Sequence, residues 1–156
     1  MKFMDVVLPG LILCDMRAET KEEAFREFAD ALSREDIIDD HEDFFKAILK
    51  REELGSTGGG RGFAVPHTKL PAIDRCRLAF GISKVGIDWA SLDGELVYII
   101  FLILSPTDRP CDHLRTLEMI SRAMRSDTLR RFLKQAESFD DIWMLLEECD
   151  DGQFND

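Results

Sequence analysis

Val97-Tyr-Ile-Ile-Phe-Leu-Ile-Leu104 is the most apolar run in the chain. No polar residue alternates through it, so a strand built from it has no face suited to water. A strand buried on both faces demands helices above and below its sheet, which fixes the class as α/β. Ser105-Pro106 ends the run, and Leu92-Asp-Gly-Glu95 marks a turn just before it. Moving toward the N-terminus, Arg77-Leu-Ala-Phe-Gly-Ile-Ser83 shows approximate alternation and predicts a second strand, and Phe63-Ala-Val65 predicts a short third one. Leu11-Ile12-Leu13 reads as an edge strand or a core anchor.

Helical patterns flank these strands. Thr20-Lys-Glu-Glu23 has the form of a capping box, and Phe25, Phe28, Ala29 and Leu32 follow on one helical face. Asp39-Asp40 offer an N-cap to a second helix with Phe44, Ala47, Ile48 and Leu49 turned inward. That helix ends with Lys50 and Arg51 and stops near Gly55. Beyond the central strand, Leu114, Leu117, Ile120 and Ser121 repeat at helical spacing. Asp127 caps a short helix carrying Leu129, Phe132 and Leu133, and Ser138-Phe-Asp-Asp141 opens a last one with Ile142, Leu145 and Leu146.

A chain of 156 residues with 45% hydrophobic content forms one domain with a single sizeable core. The expected bounds are residues 1–148, followed by an acidic tail over 149–156 that frays. A formal net charge of −11 keeps the chain in solution, disfavours nucleic acid and anionic membrane as partners, and steers a partner with a basic face. No apolar run approaches the roughly 20 residues that span a bilayer. Asp5 and Pro9-Gly10 interrupt the apolar opening and no small-residue cleavage site follows, so the expected location is the cytoplasm. The four cysteines, Cys14, Cys76, Cys111 and Cys149, form no Cys-x-x-Cys pair and read as small core or surface residues.

Chemistry concentrates in Arg51-Glu-Glu-Leu-Gly-Ser-Thr-Gly-Gly-Gly-Arg-Gly-Phe-Ala-Val-Pro-His67-Thr-Lys-Leu70. A charged helix end runs into a glycine-dense loop, then into a short strand that halts on Pro66 and presents His67 at its end. The order helix, glycines, strand is the reverse of a nucleotide-binding loop, and Gly-Lys-Ser/Thr is missing. The run is therefore either a flexible connector or a phosphate-binding loop in which Ser56, Thr57, Arg51 and Arg61 meet anionic oxygens beside a reacting histidine. Of the three histidines, His41 sits among Asp39, Asp40, Glu42 and Asp43 and reads as a solvated surface residue. His113 follows the loop after the central strand and begins a helix. Loops outside strand ends are where catalytic groups collect in open α/β sheets, so His67 and His113 are candidates to converge. A neutral imidazole nitrogen attacks phosphorus near neutral pH and forms covalent intermediates.

These stretches resemble the fructose/mannitol-type IIA domains of the bacterial phosphoenolpyruvate:sugar phosphotransferase system, closest to the nitrogen-regulatory branch. The resemblance rests on Leu54-Gly-Ser-Thr-Gly58 with Ala64-Val-Pro-His67, on Gly86-Ile-Asp-Trp-Ala-Ser-Leu-Asp-Gly94 ahead of the apolar strand, on His113-Leu114, and on the Lys21–Leu32 helix. It implies a three-layer α/β/α domain with a mixed sheet, and a protein-histidine phosphotransferase that relays a phosphoryl group. His67 corresponds to the phosphorylated histidine, His113 to the second active-site histidine, and Arg51 to the arginine opening the family's "RE" segment, with Ser56 and Thr57 in the loop beside them. Gly59 stands where the family often has a bulky aliphatic, and Arg61 where it often has a small polar residue. The implied partners are an HPr-like phosphocarrier protein as donor and a IIB domain or a regulatory target protein as recipient, with no metal or organic cofactor. A phosphorylation-gated binding module without a sugar-transport acceptor is the alternative. A metal-dependent hydrolase built on His67, His113 and a carboxylate such as Asp112 is a more distant rival, for no close ligand motif exists.

Overall fold

The computed structural model describes residues 1–108 and 112–155; Cys111 lies outside them. Helix α1 (Phe3–Val6) leads into β1 (Val7–Met16), followed by α2 (Lys21–Arg34) and α3 (His41–Glu53). Short strands β2 (Gly58–Gly60), β3 (Phe63–Ala64) and β4 (His67–Lys69) precede the long β5 (Arg77–Ile87) and β6 (Val97–Ser105). Helices α4 (His113–Ala123), α5 (Asp127–Gln135) and α6 (Phe139–Asp150) close the chain.

The six strands form one mixed sheet in the order β1-β5-β6-β3-β2, with β4 also paired to β6. β6 lies antiparallel to β5 and parallel to both β3 and β4. Its side chains alternate between two cores. Ile100, Leu102 and Leu104 pack with Phe25, Phe28, Leu32, Phe44 and Ile48 of α2 and α3. Ile99, Phe101 and Ile103 pack with Phe3 and with Ile120, Leu129, Leu133, Ile142 and Leu146 of α4, α5 and α6. Helices therefore cover both faces of the sheet, as the unbroken apolar run of β6 requires. The turn at Leu92–Glu95 and the stop at Ser105-Pro106 fall where the sequence places them.

Capping follows the sequence closely. Thr20 Oγ1 accepts the Glu23 N–H, Asp40 accepts that of Asp43, and Ser138 that of Asp141. The α5 cap is Ser126 rather than Asp127: its hydroxyl accepts the Leu129 N–H, and Asp127 becomes the first helical residue. Two helical faces are rotated from the expected ones. In α3, Phe45 is buried and Ala47 exposed; in α4, Thr116, Met119, Ile120 and Ala123 face the core while Leu114 is 80% exposed. The strands differ too. Leu11–Leu13 does lie in an edge strand, as one of its two readings had it, but that strand runs for ten residues; part of the glycine run is itself a strand, and His67 begins β4 instead of ending β3.

The C-terminal segment is tied down rather than frayed. The 148/149 boundary falls inside α6, and the Asp150 carboxylate accepts the N–H groups of Phe3 at 2.7 Å and Met4 at 3.0 Å. Phe154 packs edge-on against Phe132. An aspartate that caps another segment's free amides outweighs the acidity that made these residues look like a tail.

Two adjacent glycines of β2 have opposite requirements. A Cβ at Gly58 would meet Ser91 Oγ at 2.4 Å and the Trp89 ring at 2.9 Å, whereas one at Gly59 would meet nothing within 4 Å. Gly59→Ala is expected to stabilise the protein by about 0.4–1 kcal/mol through the unfolded chain. Gly58→Ala is expected to cost about 1–3 kcal/mol. Urea unfolding midpoints of the two variants test this, and equal shifts would refute it.

Candidate functional site

β4 lies parallel to the end of β6, with His67 opposite Ile103 and Lys69 opposite Ser105. Pro66 makes the junction with β3 stiff, since its ring fixes φ, and its carbonyl accepts the Ile103 N–H at 2.9 Å. His113 opens α4 from the far side of the loop that follows β6. The two imidazoles thus meet at the C-terminal end of the central strand, with ring centroids 5.0 Å apart and planes at 77°. That is the strand end at which open α/β sheets place their ligands.

His67 Nδ1 lies 3.2 Å from the carbonyl oxygen of Val65. A carbonyl only accepts, so the ring nitrogen beside it carries the proton, and in the neutral ring the lone pair is on Nε2. Both rings titrate below their ordinary value. For His67 the first cause is burial; the Val65 carbonyl opposes it, Arg51 reinforces it and Glu52 opposes it. For His113 burial again leads, followed by the His67 ring and the positive charges of Arg51 and Lys69. Two neutral imidazoles beside two permanent cations make a site that is nucleophilic and also attractive to an anion.

The rings share a pocket of about 350 Å³ with Ala47, Arg51, Thr68, Lys69 and Ser105. Arg51 comes from the last turn of α3. His67, His113 and Arg51, named from the sequence, are thereby brought together. Ser56 and Thr57 are not. The Ser56 hydroxyl donates to the Trp89 carbonyl and accepts the Gly58 N–H. Thr57 gives its backbone N–H and its hydroxyl to the carboxylate of Glu52. Neither hydroxyl lines the pocket, because both are spent on holding the glycine segment. Arg61, at the left-handed turn between β2 and β3, has its N–H bonded to Asp93 and likewise lies outside the pocket. His41 sits at the start of α3 and bonds Asp30 at 2.8 Å, apart from the site.

Sequence reading passed over Lys69 and Glu52. Lys69 stands two residues after His67, and the alternation of a strand returns it to the same side, a signal that was available. Glu52 gave no such signal, since a glutamate at a charged helix end ordinarily faces water. Among the described residues no group of three or more His, Cys, Asp or Glu side chains is arranged to hold a metal ion, so Asp112 does not complete a ligand set with the two rings. Among them, too, no helix is long and apolar enough to cross a membrane.

Comparison with known proteins identifies the family. A protein-family model described as "Phosphoenolpyruvate-dependent sugar phosphotransferase system, EIIA 2" matches residues 6–149. Fold and match together define a IIA-type phosphocarrier. More particularly, the chain belongs to the EIIA 2 family of that phosphotransferase system. A nitrogen regulatory protein of Bradyrhizobium diazoefficiens is 33% identical over 146 residues, which are 94% of this chain and 95% of the relative. The fructose-specific EIIABC component of Bacillus subtilis is 31% identical over 96% of this chain, which spans only 24% of that relative's length. The crystal structure of the nitrogen regulatory protein IIA-Ntr from Neisseria meningitidis superposes with a TM-score of 0.75 at 28% identity, covering 91% of this chain and 97% of that one. IIA mannitol from Escherichia coli shares the fold with a TM-score of 0.72 at 22% identity, over 88% of this chain and 96% of that one.

Replacing Arg51 tests the electrostatics of the site. Its charge disfavours the imidazolium form of both rings, so Arg51→Gln is expected to raise the titration midpoints of His67 and His113 together. Proton–nitrogen NMR of the imidazoles across pH 4 to 8 reads the shift, and unchanged midpoints would remove Arg51 from the site.

Proposed function

We propose that the protein is a protein-histidine phosphotransferase that accepts a phosphoryl group on Nε2 of His67. The donor is the phosphohistidine of an HPr-like carrier protein. The observation that carries this reading is the contact of His67 Nδ1 with the Val65 carbonyl, which puts the ring's lone pair on Nε2 within a cation-lined pocket. As the carrier's phosphorus–nitrogen bond breaks, its electron pair returns to the carrier's ring, and a new bond forms from Nε2 to phosphorus. The Nδ1 proton stays in its bond to Val65, whose carbonyl stabilises the positive charge that spreads over the phosphorylated ring. Transfer of this kind passes through a loose transition state and depends on alignment and charge compensation rather than on proton transfer. Arg51 and Lys69 supply the compensating charge and His113 a hydrogen bond to a phosphoryl oxygen.

Onward transfer to a IIB domain, or use of the phosphorylated state as a signal to a regulatory target protein, completes the cycle. Each output has a relative that supports it. The nitrogen regulatory protein of Bradyrhizobium diazoefficiens matches over nearly its whole length. A complex of Escherichia coli enzyme IIA mannitol with phosphorylated IIB mannitol contains the same fold.

Incubation with a phosphorylated carrier and mapping of the acid-labile phosphate by mass spectrometry should place it on His67. His67→Ala should abolish the label, and a label that survives this change sinks the assignment. His113→Ala, with the fold intact, should slow transfer about ten- to a hundredfold, the worth of one charge-assisted hydrogen bond. Excess chelator should leave transfer from a metal-free phosphorylated carrier unchanged; dependence on added zinc or manganese would instead favour metal-assisted hydrolysis.

A further inference from the structure

Glu52 is 5% exposed at the end of a helix whose neighbouring residues reach solvent. An ionised carboxylate in such a place is costly unless donors surround it. Here they do. Thr57 contributes its backbone N–H at 2.7 Å and its hydroxyl at 2.9 Å, Trp89 its indole Nε1–H at 3.1 Å, and Lys21 its ammonium at 3.3 Å. These groups come from the start of α2, the segment before β2 and the segment after β5, so one carboxylate joins three separate parts of the chain to the end of α3.

The bonds do not stop at Thr57. Its carbonyl accepts the N–H of Val65 at 3.2 Å, and the carbonyl of Val65 accepts the Nδ1 proton of His67 at 3.2 Å. On the other side, Pro66 is held to β6 through Ile103. The Val65-Pro66 unit that orients the His67 ring is thus fixed at two points, one in the rigid central strand and one in Thr57. The second point is held by the Glu52 carboxylate together with the Trp89 indole, whose N–H also reaches the Thr57 hydroxyl at 3.2 Å. Thr57 is followed by Gly58-Gly59-Gly60, residues with the least intrinsic preference for any one backbone conformation, and β2 pairs with β3 through only Gly58–Ala64 and Gly60–Phe63.

We propose that Glu52 is a positioning residue for the phosphoacceptor: through Thr57 and Val65 it holds His67 in the Nδ1-protonated tautomer that leaves Nε2 free to react. Its neighbour in sequence, Arg51, lines the pocket, so one buried carboxylate sets the place of both the nucleophile and a cation beside it. The role rests on the reading of His67 as the phosphoacceptor. The tautomer itself, however, can be observed with no phosphate present.

The test uses full-length protein with nitrogen-labelled histidine, in wild type, Glu52→Gln, Thr57→Val and Thr57→Ser. At a pH where the rings are neutral, the two nitrogen shifts of His67 report the ratio of its tautomers. Glu52→Gln and Thr57→Val should each lower the Nδ1-H to Nε2-H ratio about three- to tenfold, the equivalent of one neutral hydrogen bond. Thr57→Ser, which keeps the hydroxyl, should restore it. His41, bonded to Asp30, serves as the internal control for a native fold. Phosphoryl uptake should slow in step with the ratio, with little change in the carrier concentration giving half-maximal rate. If Glu52→Gln does not fold, the two Thr57 variants decide the matter. Folded variants with the wild-type ratio at His67 overturn the proposal and leave Glu52 a purely structural role. Wild-type protein that takes up no phosphate overturns the phosphoacceptor reading instead, while the tautomer ratio still decides whether Glu52 positions the ring.

Discussion

The burial of β6 on both faces is the constraint on which the rest of the molecule depends. A strand whose side chains are buried on both faces, all but the half-buried Tyr98, has to be flanked by strands and covered by helices, and each neighbour is placed by that need. β5 takes one edge in antiparallel register, and β3 and β4 share the other in parallel. Because β6 is paired on both sides up to its C-terminal end, that end is a well-anchored place for mounting a reactive group. His67 is mounted there through β4, and His113 arrives from the helix that follows.

The site turns this rigidity into chemistry. Burial lowers the titration of both imidazoles, Arg51 lowers both further, and Lys69 adds to the effect at His113. The same cations would repel a protonated ring and attract a phosphoryl group, so a single arrangement of charge serves nucleophile and substrate alike.

Much of this was legible in the residues. The alternation-free run Val97–Leu104 dictated the layers, the Ser, Thr and Asp caps marked helix starts, and Pro66-His67 announced a histidine at a strand junction. What stayed hidden depended on partners distant in sequence. Ala47 looked like a core residue because a helix pattern gives a face but not the extent of the neighbour that covers it. Ser56 and Thr57 looked like phosphate ligands because nothing in their local sequence reveals that Glu52 and Trp89 claim their hydrogen-bonding groups. Asp150 looked like part of a solvated acidic end because its amide partners, Phe3 and Met4, lie at the opposite end of the chain.

That last contact has a consequence for how such a unit is joined to others. With Asp150 holding the amides of Phe3 and Met4, the first and last helices leave the domain side by side. A polypeptide that continued beyond either end would depart from one corner, and a domain placed between two others would hang from them as a pendant rather than bridge them like a link. The reach of its reactive face toward an attached neighbour would then be set by linker length through effective concentration, and not by any rigid inter-domain geometry.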